Sequence, residues 1–347
     1  MKAVRALVLA IMALGLASCL PARLPDAGGV YTLRYGSPYS PAHPFSRADL
    51  VWIKYVERAS GGRLHIVPYW GGALTGPDAV IELKHGMADI ALITPIYMRA
   101  GMRAQKVQAG FYAGARTIEE QVRIYRCLAN EFPILNQELA GVHVLAVQGG
   151  NLPNILTRDR PVRTLEDMRG LRLRAPNEIV PVLKALGVDA VTMPMGEVYS
   201  AMSKGVIDGV VAPAATLKAL HFTEVGRYQN MLWVSRGAYP ARAISDAAYN
   251  QLPPDLRKIL DDAAPIWEAA MAAEVKKGEE AGFAAGRAAG TRFQEPDPGQ
   301  QARLDAAYSA EALRSARALS QYGVDGEAMF RRAQALIAVG GPGCPAT

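Results

Sequence analysis

The sequence predicts an α/β chain of two similar lobes braced by one long helix. Three observations carry that expectation. At 347 residues the chain exceeds what a single hydrophobic core usually supports. A unit of short helix, glycine, acid and apolar strand occurs twice, in residues 78–93 and again in 197–211. The two copies lie too far apart for a solenoid, and they suit two related lobes that face one another. Finally, residues 252–285 read as one helix rich in Ala, Glu and Lys. At ~1.5 Å per residue such a helix reaches ~45 Å, long enough to cross both lobes.

Composition narrows the functional classes. An apolar content of 50% and a charged content of 20% describe a globular chain, not a disordered one. The net charge is +6, and removal of residues 1–18 would take away Lys2 and Arg5 and leave +4. The basic residues are scattered, with no Lys/Arg run or basic–aromatic stripe, so no nucleic-acid partner is expected.

Residues 1–18 read as an export signal: Lys2 and Arg5 precede an apolar run from Ala6 to Leu16 that is too short to span a bilayer comfortably. Leu16-Ala17-Ser18-Cys19 resembles a bacterial lipobox, which implies lipidation of Cys19 and a membrane anchor. The other reading is an ordinary cleaved signal with a chance cysteine. Residues 19–29 would form a tether, 30–150 lobe I and 151–235 lobe II. Residues 236–347 would supply return strands, the long helix and C-terminal helices packed on both lobes. In an exported chain Cys127 and Cys344 are permitted to bridge, and two unbridged thiols fit the sequence equally well.

Within lobe I, Tyr31 to Gly36 alternate as a first strand and a Pro-rich loop with His43 follows. A helix from Asp49 to Ala59 closes at Gly61-Gly62, and Leu64 to Trp70 form the second strand. A helix spans Thr117 to Leu139, Val142 to Val147 form a strand, and Gly149-Gly150-Asn151 mark the crossing between lobes. Asp255 is the expected cap of the long helix. The acids of the repeated unit, Asp89 and Asp208, are expected to serve turn chemistry, with Gly86 and Gly205 ending the helices ahead of them.

Lobe II is organised around Leu165-Glu166-Asp167-Met168-Arg169-Gly170-Leu171-Arg172-Leu173-Arg174-Ala175-Pro176. Gly170 ends an acidic turn, then Leu171, Leu173 and Ala175 alternate with Arg172 and Arg174 at the strand period. Pro176 stops the strand. Arg174 thus arrives at the C-terminal end of a strand, where open α/β sheets place their ligand crevice. Two roles fit a guanidinium there: a two-pronged grip on a ligand carboxylate, or a pair with a structural acid. No Gly-x-Ser-x-Gly elbow, His-Glu-x-x-His helix or phosphate loop occurs, and the five histidines are well separated. Neither a catalytic residue nor a metal or cofactor site is expected.

Taken together, Gly61-Gly62-Arg63-Leu64, Gly86 with Asp89, the Leu165–Pro176 stretch, Glu197-Val198-Tyr199, Gly205-Val206-Ile207-Asp208-Gly209 and Leu252-Pro253 are distinctive. In this order, over residues 30–335, they resemble the solute-binding subunit of a tripartite ATP-independent periplasmic (TRAP) transporter of the dicarboxylate-binding type. The resemblance implies a two-lobed periplasmic-binding-protein clam-shell that closes on a carboxylate. It also implies delivery to a permease of small and large membrane subunits, driven by an ion gradient, and it gives Arg174 the role of carboxylate anchor. Four departures from the better-known members concern the ligand site. Asn154 stands where some place a second arginine, Thr94 and Tyr97 replace a Glu and an Arg, and Met195 takes an aromatic lid position. Val210-Val211-Ala212 replace a polar run ahead of Pro213. Each exchange favours apolar surface, so the expected ligand is a monocarboxylate with an apolar or aromatic body. Asn151, Trp233 and Tyr239 are further candidates for its walls. A C4-dicarboxylate binder, with a second cation from Arg99, Arg103 or Arg116, and a ligand sensor signalling to a membrane receptor are the alternatives.

Overall fold

The computed structural model describes residues 25–176 and 179–344. The expected signal, Cys19 and the first part of the tether lie outside the described residues.

Lobe I is built on a five-stranded sheet in the order β2-β1-β3-β10-β4. Here β1 is Tyr31–Gly36, β2 Leu64–Tyr69, β3 Ile90–Leu92, β4 Val142–Gln148 and β10 Tyr239–Ser245. The first three strands run parallel, and β10 runs antiparallel to both β3 and β4. The chain thus returns from lobe II to complete the middle of the lobe I sheet. Helix α1, Pro44–Ala59, starts at a proline whose missing N–H costs nothing there, and turns Trp52, Ile53 and Val56 onto the sheet.

Lobe II holds six strands in the order β11-β9-β5-β8-β6-β7. They are β5 Asn154–Thr157, β6 Arg172–Arg174, β7 Asp189–Val191, β8 Gly209–Ala212, β9 Tyr228–Asn230 and β11 Arg292–Gln294. Parallel β8, β6 and β7 form one half, and antiparallel β5 joins them to β9.

The repeated glycine–acid unit proves to be the same local device in each lobe. In lobe I, Gly86 adopts φ +71° and the N–H of Met87 reaches the carbonyl of Glu82 at 3.1 Å. In lobe II, Gly205 adopts φ +72° and the N–H of Val206 reaches Ala201 at 2.9 Å. Both close a helix by the left-handed glycine turn. Three residues on, Asp89 Oδ2 accepts the Arg34 N–H at 2.7 Å while its own N–H donates to the Arg34 carbonyl at 3.0 Å. Asp208 does the same with Arg172, at 2.7 and 2.8 Å. Each carboxylate therefore pins its strand to the strand beside it, as expected of turn chemistry.

The brace differs from the single long helix expected. It comprises α2, Pro254–Asp262, and α3, Ala264–Ala288. Pro265 splits it, because a proline there has no N–H to give and its ring crowds the carbonyl one turn back. The N-cap position is Pro253, and Asp255 lies inside the first turn with its carboxylate meeting Arg63 at 2.5 Å. The helix expected over Thr117 to Leu139 is likewise divided, into Ile118–Glu131 and Ile134–Gln137, at Pro133. Trp267 and Met271 of α3 enter the lobe I core beside Trp52 and Val56. Further along, Gly278, Gly282 and Gly286 face α4, Ala215–Ala219, of lobe II. A Cβ on Gly282 would strike the Ala214 carbonyl, so glycine is what lets the brace lie against that lobe. A disulfide joins Cys127 to Cys344 and ties the C-terminal segment to lobe I.

Candidate functional site

A cavity of about 490 Å³ opens at the C-terminal end of β6. Arg174 pairs in register with Val191 of β7 and Val210 of β8, so its side chain emerges where the parallel strands end. The Arg174 Nε donates to the Met193 carbonyl at 3.1 Å, which fixes the plane of the guanidinium at the cavity wall. Pro176 follows at once and turns the chain away, as the sequence implies. Ile179, Met193, Met195, Val211, Pro213 and Val234 supply apolar walls, and Tyr97 reaches in from lobe I with half its surface exposed. No acid lines the cavity among the described residues.

Arg174, Tyr97, Met195 and Pro213 are therefore brought together, as the sequence reading groups them. The other candidates are placed elsewhere. Asn154 is fully buried within β5, where it donates to the Leu232 carbonyl at 3.4 Å and accepts from Gln229 at 3.2 Å. Ala212 is turned by strand alternation into the core beside Met202 and Phe222. Thr94 precedes the short 3-10 turn that carries Tyr97 and does not line the cavity. Asn151 donates to Glu279 at 2.8 Å and to the Val275 carbonyl at 3.2 Å, which fastens the interlobe crossing to the brace. With Trp233 it lines a separate cavity of about 450 Å³. Tyr239 is buried at the start of β10, its hydroxyl accepting from Gln148 at 3.0 Å.

The cations proposed from residues 99–116 are also engaged elsewhere. Arg99 lies 4.0 Å from Asp78, the Arg103 guanidinium sits 4.2 Å over the Tyr322 ring, and Arg116 pairs with Asp305. The second arginine at the cavity is Arg236, with Ser235 beside it. Sequence reasoning missed both. They stand in the extended crossing between β9 and β10, where no periodicity marks which side chains face inward. A faint signal existed in the lone cation that ends the apolar run Leu232-Trp233-Val234.

A buried arginine away from the cavity, Arg242 in β10, is occupied by structure. Its Nε donates to Asp49 Oδ1 at 2.7 Å, and the Tyr35 hydroxyl and Trp267 indole donate to the same carboxylate, each at 2.7 Å. Burial opposes the Arg242 charge, but the Asp49 carboxylate together with Tyr35 and Tyr239 offsets it, and the pKa is raised. Nearby, burial and then the charge of Arg47 push His43 down to about 4, so its imidazole is neutral at pH 7. It caps α1, its Nδ1 accepting the Phe45 N–H at 3.2 Å. No group of three or more metal-ligating side chains occurs among the described residues, and none of their helices is long and apolar enough to cross a membrane.

Two α/β lobes, a bracing helix and a lined cavity at the strand ends define a two-lobed solute-binding protein. The chain belongs to the bacterial extracellular solute-binding proteins of family 7, the DctP family, whose model matches residues 35–316. It is similar to a solute-binding protein of Roseobacter denitrificans, 32% identical over 128 residues that make up 36% of this chain. Across that protein and another curated solute-binding relative, the match spans 38% and 61% of the relatives' own lengths. Among solved structures it resembles a TRAP solute-binding protein from Rhodoferax ferrireducens in complex with copurified benzoate. The identity is 25%, the TM-score 0.76, and 89% of this chain and 98% of that one are covered. A marine metagenome TRAP solute-binding protein specific for aromatic acids, in complex with metahydroxyphenylacetate, gives 23%, 0.75, 89% and 98%. That second likeness speaks to the fold.

Proposed function

We propose that this chain captures an organic monocarboxylate with an apolar or aromatic body outside the cytoplasm. It then hands the ligand to the small and large membrane subunits of a TRAP permease for uptake driven by an ion gradient. The observation that carries this reading is Arg174 at the end of β6, set in a cavity whose other walls are mostly apolar. A guanidinium can hold one carboxylate by two parallel charge-assisted bonds, and the low-polarity surroundings strengthen them. The apolar walls suit a hydrocarbon or aromatic body, and a second carboxylate buried against them, away from Arg236, would cost several kcal/mol. The benzoate found in the Rhodoferax protein is a ligand of this class.

The reading assigns no catalytic step to the chain. It includes an export signal over residues 1–18 and a lipid anchor on Cys19, supported by the Leu16-Ala17-Ser18-Cys19 sequence alone. Two experiments test it. A thermal-shift screen against mono- and dicarboxylates, aliphatic and aromatic, should show stabilisation of ~2.7 kcal/mol at ~100 Kd only with monocarboxylates. Stabilisation by dicarboxylates alone contradicts the ligand class. The intact mass of the membrane-extracted protein reports the anchor: a diacylated mature chain beginning at Cys19 is expected, and an unmodified mass contradicts it.

A further inference from the structure

Two segments cross between the lobes, residues 149–153 outward and 231–238 in return, and one glutamine amide grips each of them. Gln121, fully buried on the helix Ile118–Glu131, accepts the Gly150 N–H at 2.8 Å and donates to the Gly150 carbonyl at 3.2 Å. Gln301, in the first turn of the helix Gln300–Ala318, accepts the Trp233 N–H at 2.8 Å and donates to the Trp233 carbonyl at 2.9 Å. One planar amide thereby fixes the peptide groups on both sides of a single residue. The two grips belong to different lobes. Gln121 rides on a helix whose Val122, Ile124 and Leu128 pack with Val147 in the lobe I core. Gln301 sits just ahead of Leu304 and Tyr308, which pack with Ile155 and Leu173 in the lobe II core. The crossings are also tied to each other, the Val234 N–H donating to the Pro153 carbonyl at 2.9 Å. Beyond Trp233 the return crossing is seated on lobe I at Gly237, where a Cβ would lie 2.4 Å from the Ala109 carbonyl. The backbone between these fixtures is short: Leu152–Pro153 on one crossing and Ser235–Arg236 on the other. Pro153, Ser235 and Arg236 line the cavity, and neither glutamine does.

From this geometry we infer that Gln121 and Gln301 are positioning residues for ligand capture, one per lobe, which confine lobe closure to a bend at 152–153 and 235–236. The inference rests on the proposed capture of a carboxylate between the lobes. A bend set in the cavity wall changes the shape of the cavity with the lobe angle, so the ligand's contacts favour one angle over the others. Releasing either grip admits a wider range of angles in the free protein and leaves the closed, liganded form as it is. Fewer free molecules then stand near the binding angle, and the apparent affinity falls by that fraction. The glutamines act on the hinge, and through it on binding.

The test uses the full chain, with benzoate, phenylacetate, butanoate and succinate as probes, and the variants Gln121→Met, Gln301→Met and Gly149→Ala. The alanine Cβ would lie 2.7 Å from Gln121 Oε1, so it displaces that grip without altering the glutamine. Small-angle scattering should show each variant more expanded than the native protein without ligand, and equally compact with a saturating probe. Titration calorimetry should show binding weakened about fivefold or more in each. Gln121 is fully buried, so Gln301→Met, at a half-buried position, carries the test if Gln121→Met does not fold. In the native protein the Gly150 and Trp233 amides should exchange at least about tenfold more slowly than those of Leu152 and Ser235. An unchanged free dimension in Gln301→Met, an affinity kept within about twofold, or equally fast exchange at all four amides overturns the hinge assignment. If these measurements fail while Arg174→Ala still abolishes binding, only the hinge role is lost. If no probe binds the native protein, the hinge role and the reading beneath it both fall.

Discussion

Arg242 in lobe I and Arg174 in lobe II present the same chemical group in opposite circumstances. Arg242 is sealed in the core, matched to Asp49, and stacked 4.3 Å from the Trp267 ring of the brace. Arg174 is half-buried at a strand end, its Nε held by a backbone carbonyl, on a cavity lined by no acid among the described residues. In one lobe a guanidinium locks the brace to the sheet. In the other it is oriented but presented to the cavity. The same residue type therefore sits in two settings, sealed into a core ion pair in one lobe and set at a cavity wall in the other.

The contrast is broken most severely at Asp49. Asp49→Ala leaves the Arg242 charge buried without its carboxylate and also strips a partner from Tyr35 and Trp267. A loss of ~3–5 kcal/mol is expected, read as a lower urea midpoint with the slope unchanged. A change under ~1 kcal/mol would mean that the pair is not structural. Gly282→Leu drives a side chain into the Ala214 backbone and should cost about 1–3 kcal/mol while leaving the lobe I network intact. Its signature is uncoupling of the brace from lobe II, seen as faster amide exchange in α4 than in α1. Equal protection in both helices would contradict the assigned contact.

A smaller effect sharpens the comparison through pH. The folded His43 pKa of about 4 lies below the unfolded value of ~6.5. Between those values the unfolded chain binds more protons, so stability rises with pH across the window and falls as acid is added. Partial solvation of the ring limits the contribution to about 1 kcal/mol. His43→Gln should flatten the stability profile between pH 4 and 6.5, and an unchanged profile would place the titrating group elsewhere.

Much of this architecture is legible in the sequence because it is written in local rules. The paired glycine–acid units state where helices end and which acid pins the next strand, and Arg174 is marked by its strand period and by Pro176. Proline effects are legible too: Pro133 and Pro265 each break a helix that hydrophobic spacing alone would continue. What the sequence does not convey is facing direction outside regular elements. Asn154 and Ala212 lie on strands but point into protein, and Asn151 is taken up by Glu279 on the brace, a partner 128 residues away. Arg236 and Ser235 reach the cavity only because the crossing segment takes one path between β9 and β10. The Asp49–Arg242 pair, 193 residues apart, is equally invisible to spacing, although a lone cation inside Ala241-Arg242-Ala243-Ile244 demands some partner.

The most direct measurement is the affinity of a monocarboxylate identified by the thermal-shift screen for the native protein and for Arg174→Ala, by titration calorimetry, with melting temperatures recorded alongside. Removal of the guanidinium should leave the ligand carboxylate buried and unpaired, at a cost of at least ~2 kcal/mol, or about thirtyfold in Kd. The unliganded melting temperature should stay within a degree or two, since Arg174 lies half-exposed at the cavity wall while Arg242 is sealed in the core. An affinity preserved within about threefold, or a variant destabilised like Asp49→Ala, would contradict the assignment of Arg174 as the carboxylate anchor.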